Sequence, residues 1–135
     1  MATHRTAFRV YYEDTDAGGV MYHAQYLAFA ERGRSEALRD AGGSVADLLD
    51  QHGVAFVVRR LSIDYRRPLR LDALVTVETG LLEQRGASLR LRQSLSAGDV
   101  IAATLDVTLA VVRLHDLRPV RLPPRWVSIL GSLED

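Results

Sequence analysis

Residues 9–39 read R-V-Y-Y-E-D-T-D-A-G-G-V-M-Y-H-A-Q-Y-L-A-F-A-E-R-G-R-S-E-A-L-R, and this stretch decides the fold. It overlaps a β-prone run, residues 7–12, in which Phe8, Val10 and Tyr12 alternate onto one face. A polar turn follows over residues 13–19, where Gly18 and Gly19 permit close approach of backbone to a ligand. A helix is then predicted from Met21 or His23 to Ala41. Tyr22, Tyr26, Ala30, Gly33, Ala37 and Ala41 recur at spacings of three and four and form its inner stripe. Gln25, Arg32, Ser35 and Arg39 face away. The stripe is made largely of small residues, so the helix axis can lie close to whatever it packs on. Gly42-Gly43 ends it.

Downstream, Ser44 caps a short second helix that stops at Gly53. The chain then turns to strands. Residues 54–65 begin as an apolar run and then alternate, with Leu61, Ile63 and Tyr65 on one side. Residues 73–82, 87–95 and 100–113 each carry one apolar face, the last with Ile101, Ala103, Leu105, Val107, Leu109 and Val111. Turns at Arg85-Gly86 and at Ala97-Gly98-Asp99 join them as antiparallel hairpins. The tail is extended up to a short helix begun at Pro123 or Pro124. The expected class is α+β, a single domain over residues 1–135. An antiparallel sheet of about five strands wraps around one long helix, and a partner chain or solvent meets its other face.

Composition narrows the chemistry. The 135 residues suit one domain, 47% are apolar and 25% are charged, as in ordinary globular chains. A formal net charge of zero gives no field that calls for nucleic acid or an anionic membrane. With no cysteine, the chain has no thiol nucleophile, disulfide or cysteine-held metal. No run of about 18 apolar residues is present to span a bilayer. No secretory leader is recognisable, so a cytoplasmic place is expected. All 17 basic residues are arginine, a bias that GC-rich codon usage explains, with phosphate binding by particular arginines as the functional alternative.

The densest group of chemically able residues is Tyr12 to His23, between a strand end and a helix start. Helix N-termini present unpaired amides and the positive end of a dipole. No Ser, Thr, Asp or Asn stands at residues 20–22 to cap them. Those donors can hold a developing oxyanion. Asp16 is the nearest carboxylate, fit for a general base or nucleophile, although a turn residue or distant cap is the commoner role for Asp in such a loop. Glu13 and Asp14 compete with it. His23 falls inward by angular count, as a catalyst or as a core histidine. Arg34 lies near the same stripe, either paired with Glu31 or reaching toward the site. His4, His52 and His115 show no metal-ligand spacing, and no nucleophile elbow or phosphate loop occurs.

Residues 9–39, together with L-S-I-D-Y-R-R-P-L-R-L-D-A-L-V and D-L-R-P-V-R-L-P, closely resemble the YbgC-like, Tol–Pal-associated acyl-CoA thioesterases. These belong to the 4-hydroxybenzoyl-CoA thioesterase group of hotdog-fold proteins. The resemblance implies a sheet wrapped on a helix, paired into homodimers or homotetramers with sites at subunit boundaries. It implies that Asp16 and His23 are catalytic and that Gly18, Gly19, Val20, Tyr22 and Tyr26 shape the substrate pocket. Hydrolysis of a short aliphatic or aromatic acyl-CoA follows, with no metal and with coenzyme A entering only as part of the substrate. Arg59, Arg60 and Arg90 are candidates for the coenzyme A phosphates. An acyl carrier protein partner and a peripheral position at the inner membrane are compatible with the family. A hotdog hydratase of enoyl thioesters and a non-catalytic acyl-thioester-binding module are the competing expectations.

Overall fold

The computed structural model describes residues 3–134. Six strands form one sheet: β1 (His4–Arg9), β2 (Val54–Tyr65), β3 (Leu74–Arg85), β4 (Ser88–Ala97), β5 (Val100–Arg113) and the two-residue β6 (Arg118–Pro119). Their order is β1-β3-β4-β5-β2, with β6 pairing to β5, and every named pair is antiparallel. The long helix α1 (His23–Asp40) packs across β1, β3 and β4. The shorter α2 (Val45–His52) packs on β2, and α3 (Pro124–Gly131) packs on β3. No helix among the described residues is long and apolar enough to cross a membrane.

The small-residue stripe has the consequence expected of it. Ala30, Gly33 and Ala37 are buried, and a methyl group on Gly33 would lie 2.4 Å from Val77 Cγ1. The inward residues of β3, β4 and β5 complete the core, including Val75, Val77, Leu95, Leu105 and Val107. Phe29 joins the stripe and is fully buried, edge-on to Phe8. One polar knot lies beneath the helix. Gln93 Nε2 donates to Ala30 O (2.8 Å) and Thr79 Oγ1 (2.9 Å), and its Oε1 accepts from Arg34 Nη1 (2.9 Å). Arg34 is therefore bonded to β4, and no ion pair joins it to Glu31 among the described residues.

Three local expectations change. The first strand ends at Arg9, and Tyr12–Asp14 form one 3-10 turn, so Tyr12 points into solvent. Tyr22 stands at the cap of α1, exposed, instead of on its inner stripe. On β5 the register shifts where Leu95 pairs with Ala103 but Ser96 pairs with Ile101. Ala102 is the extra residue of this bulge. It turns inward beside Ala103 and throws Ile101 outward. The Ala102 carbonyl accepts from the amides of Arg66 (2.7 Å) and Arg67 (3.1 Å), tying the β2–β3 connection to the bulge.

The second helix follows its sequence signals closely. Ser44 Oγ accepts from the Asp47 amide (3.1 Å), and Gly53 ends the helix at φ +63°. Replacing the cap by Ser44→Ala is expected to cost about 1 kcal/mol, read as a lower urea midpoint at unchanged m-value.

Candidate active site

The loop ahead of α1 folds back on itself as a short ladder. The Tyr22 amide donates to Asp14 O (2.9 Å), Thr15 bridges Met21, and the Asp16 amide donates to Val20 O (2.9 Å). Residues 16–19 form the exposed tip. Within it Asp16 Oδ1 accepts from the Gly18 amide (2.8 Å) and Asp16 O from the Gly19 amide (3.1 Å). Gly19 takes φ +79°, a conformation that glycine adopts without penalty. Val20 is half-buried where it bridges Arg70.

The three competing carboxylates now separate. Asp14 is buried, and both its oxygens are engaged, by the Tyr11 amide (2.9 Å) and by Gln25 Nε2 (2.7 Å). It braces the loop against α1. Glu13 is exposed on the 3-10 turn. Asp16 is exposed, and its one recorded partner is a loop amide, so it stays open to a ligand or to a neighbouring chain.

The start of α1 carries the donors. Tyr22 gives no side-chain cap, and no acidic residue lies in the first turn. The Gln25 amide bonds to Tyr22 O (2.9 Å), whereas the amides of His23 and Ala24 have no acceptor among the described residues. The positive end of an 18-residue helix is thus left unneutralised. His23, placed inward by angular count, is instead exposed, because it is the first residue of α1 and the buried stripe begins at Tyr26; its ring stacks on Tyr22 at 4.4 Å between centroids. No hydrogen bond links it to Asp16 within one chain.

A pair of tyrosines anchors this end of the helix. Tyr26 is buried, accepts from the Leu69 amide (3.1 Å) and reaches Arg67 O (3.3 Å). Tyr65 lies edge-on to it at 5.0 Å and donates to His23 O (2.8 Å). Burial pushes both phenols above their ordinary pKa, so both remain donors at neutral pH. Tyr26, Tyr65, Arg66, Arg67 and Pro68 line an open cleft here. Sequence reasoning did not assign Tyr65 or Gln25 to the site. The parity of β2 put Tyr65 on one face with Leu61 and Ile63, a usable signal. Gln25, read as facing away, carries no local one.

The arginines are spread apart. Arg59 and Arg60 stand exposed on β2 at a bulge after Val58. Arg90 lies on the outer face of the sheet and clamps Asp106 with two bonds (3.0 and 2.7 Å). That hydrogen bonding holds the Asp106 carboxyl below the usual range. An Arg90 so engaged has fewer donors to offer a phosphate.

A curled antiparallel sheet around one long helix is the hotdog architecture. The sequence matches the pattern of the Thioesterase-like superfamily over residues 10–130. The acyl-CoA thioesterase YbgC of Haemophilus influenzae is 45% identical over 115 residues, 85% of each chain. The acyl-CoA thioester hydrolase YbgC of Escherichia coli is 42% identical over 125 residues, 92% of each chain. Among solved structures, a probable thioesterase from Bartonella henselae superposes with a TM-score of 0.85 at 39% identity, covering 90% of this chain and 100% of that one. The DHNA-CoA thioesterase of Staphylococcus aureus shares the fold with a TM-score of 0.91 at 24% identity, over 98% of this chain and 91% of that one. The chain belongs to the thioesterase-like superfamily, on the branch that holds the YbgC proteins.

Proposed function

We propose that this protein hydrolyses acyl-CoA thioesters to a free acid and coenzyme A, with the start of α1 as the oxyanion site and Asp16 as the catalytic carboxylate. The uncapped helix start carries the proposal. Two bare amides at an unneutralised dipole end suit an oxygen that gains negative charge as the thioester carbonyl becomes tetrahedral. Asp16 either takes a proton from the attacking water or adds to the carbonyl itself to give a mixed anhydride that water then opens. On both routes the C–S bond breaks and the thiol leaves protonated; general-base attack puts the water oxygen in the acid, and anhydride opening puts it in the acid or in the Asp16 carboxylate according to which carbonyl water attacks. A thioester is already a good acyl donor, so one carboxylate and one oxyanion site suffice and no metal is required. His23 orients the water or the carboxylate, while Gly18, Gly19, Val20, Tyr22 and Tyr26 shape the carbonyl end of the pocket.

An exposed carboxylate needs a wall that excludes water, and a second copy of the chain provides it. β2 is a 12-residue edge strand with Val57 and Val58 exposed, a surface suited to pairing with its own copy. Homodimers, or tetramers built from them, would set Asp16 and a helix start at a subunit boundary. Arg59 and Arg60 then lie beside that boundary, placed for coenzyme A phosphates. The protein works in the cytoplasm on this view, and acyl carrier protein thioesters are alternative donors.

Thiol release tests the proposal across aromatic, short and long acyl-CoAs and acyl carrier protein thioesters. Crotonyl-CoA and butyryl-CoA are both expected to yield free thiol if their chain length is accepted. Conversion of crotonyl-CoA to a hydroxyacyl-CoA without thiol would instead identify a hydratase. A single turnover in oxygen-18 water distinguishes the two routes. Label in the Asp16 carboxylate identifies the anhydride route, opened at the Asp16 carbonyl; label confined to the acid is the result expected of a base.

A further inference from the structure

We infer that the protein holds a second small-molecule site, for a carboxylic acid with an apolar tail of about six carbons, in a cavity under the middle of α1. The cavity measures about 170 Å³ and lies between α1, the first half of β2, β4, β5 and α3. Leu38, Phe56, Leu89, Leu91, Leu109 and Leu130 are among its walls. An apolar cavity of roughly 150 Å³ stays dry and takes up a benzene-sized molecule, so this one suits a six-carbon group.

Its polar lining is Glu31, Arg34 and Ser35 from α1 and Thr79 from β3, and the charged pair gives the head-group chemistry. Arg34 carries five N–H donors, of which one is recorded as bonded, to Gln93 Oε1 (2.9 Å). No carboxylate lies within ion-pair distance of it among the described residues. A half-buried guanidinium with unmet donors is best satisfied by an anionic acceptor. Burial draws its pKa down and the nearby Glu31 opposes that, yet a guanidinium stays charged at neutral pH. Glu31 shares the cavity lining and disfavours an anion there. That opposition gives the site a signature in which the two residues act with opposite sign.

Neither Asp16 nor His23 lines this cavity. Arg34 is eleven residues along α1 from His23, roughly 17 Å at the helical rise, farther than a six-carbon acid spans. The free acid released by a thioesterase has the matching chemistry. That link rests on the proposed activity, whereas the binding itself does not.

Calorimetric titration of the full chain with hexanoate, and with 1-hexanol as the uncharged tail, tests the inference. Trp126, the single tryptophan, stands behind the cavity wall, edge-on to the lining residue Phe56 at 6.3 Å, and gives a fluorescence readout one residue removed from the site. Saturable hexanoate binding is expected, tighter than hexanol by about tenfold, the scale of a charge-assisted hydrogen bond. Arg34→Gln should weaken hexanoate by about that factor, Glu31→Gln should tighten it, and neither should move hexanol. Glu31 is exposed, so its variant keeps the test open if Arg34→Gln fails to fold. Unsaturable binding, equal affinity for acid and alcohol, or unchanged hexanoate affinity in Glu31→Gln would overturn the site. So would purely competitive inhibition of acyl-CoA turnover by hexanoate, which would place the acid in the substrate's own pocket. A protein without thioesterase activity leaves the calorimetric result standing.

Discussion

The Asp16→Asn variant is expected to lose at least about 100-fold in thiol release from acyl-CoA while keeping its fold, the scale attached to a positioned base. The amide retains an oxygen where Oδ1 accepts from the Gly18 amide, so the loop tip keeps its bond. What disappears is the negative charge, and with it the ability to take a proton from water or to attack a carbonyl. Asp16 is exposed and its bonds stay within the loop, so the thermal midpoint should hardly change. Turnover and thermal unfolding measured on one preparation separate the two effects. Wild-type turnover in this variant would remove Asp16 from the reaction. The same substitution at Asp14 should differ in its effect on stability. Both Asp14 oxygens brace buried structure, so stability falls together with activity.

Gly33→Ala is expected to destabilise the protein by about 1–3 kcal/mol, the usual cost of forcing a methyl group into a packed core. The added Cβ would stand 2.4 Å from Val77 Cγ1, so α1 must lift from β3 or Val77 must move. The same displacement shifts the helix start that carries His23, and turnover should fall with stability. Val77→Ala removes the obstructing methyl groups. The double variant should therefore be more stable than the sum of the two single losses allows, with a coupling in the 0.5–3 kcal/mol range for residues in contact. Simple additivity in denaturant titrations would show that the close approach of α1 to the sheet is not what Gly33 permits.

Much of this architecture is legible because local and global demands agree. The three-and-four spacing of Tyr26, Ala30, Gly33 and Ala37 defines a helix face whatever surrounds it. Gly86 and Gly98, both at φ +60°, mark the hairpin turns for the same local reason. The limits of β2 and β5 follow from alternation and agree with the structure at both ends. Errors cluster where pairing overrides alternation. Ile101 has the parity of an inward residue, but the extra residue at Ala102 reverses it, and no single-strand pattern announces a bulge. Tyr12 continues the alternation of Phe8 and Val10, yet the chain leaves the sheet at Arg9 and turns to bring Asp14 under α1.

By itself, the order of residues determined one small-faced helix, four long antiparallel strands and an uncapped helix start preceded by a loop with Asp16. Those features depend on spacing and side-chain type, which act over a few residues. Only the tertiary structure decided which carboxylate is committed to holding the loop, since Asp14 meets Gln25 across eleven positions. It also decided that Arg34 bonds Gln93 on β4 instead of pairing with Glu31, and that Tyr65 reaches the backbone of His23. Contacts between distant segments depend on how the sheet curls around the helix. Burial then imposes on each polar atom a partner that its neighbours in sequence do not specify.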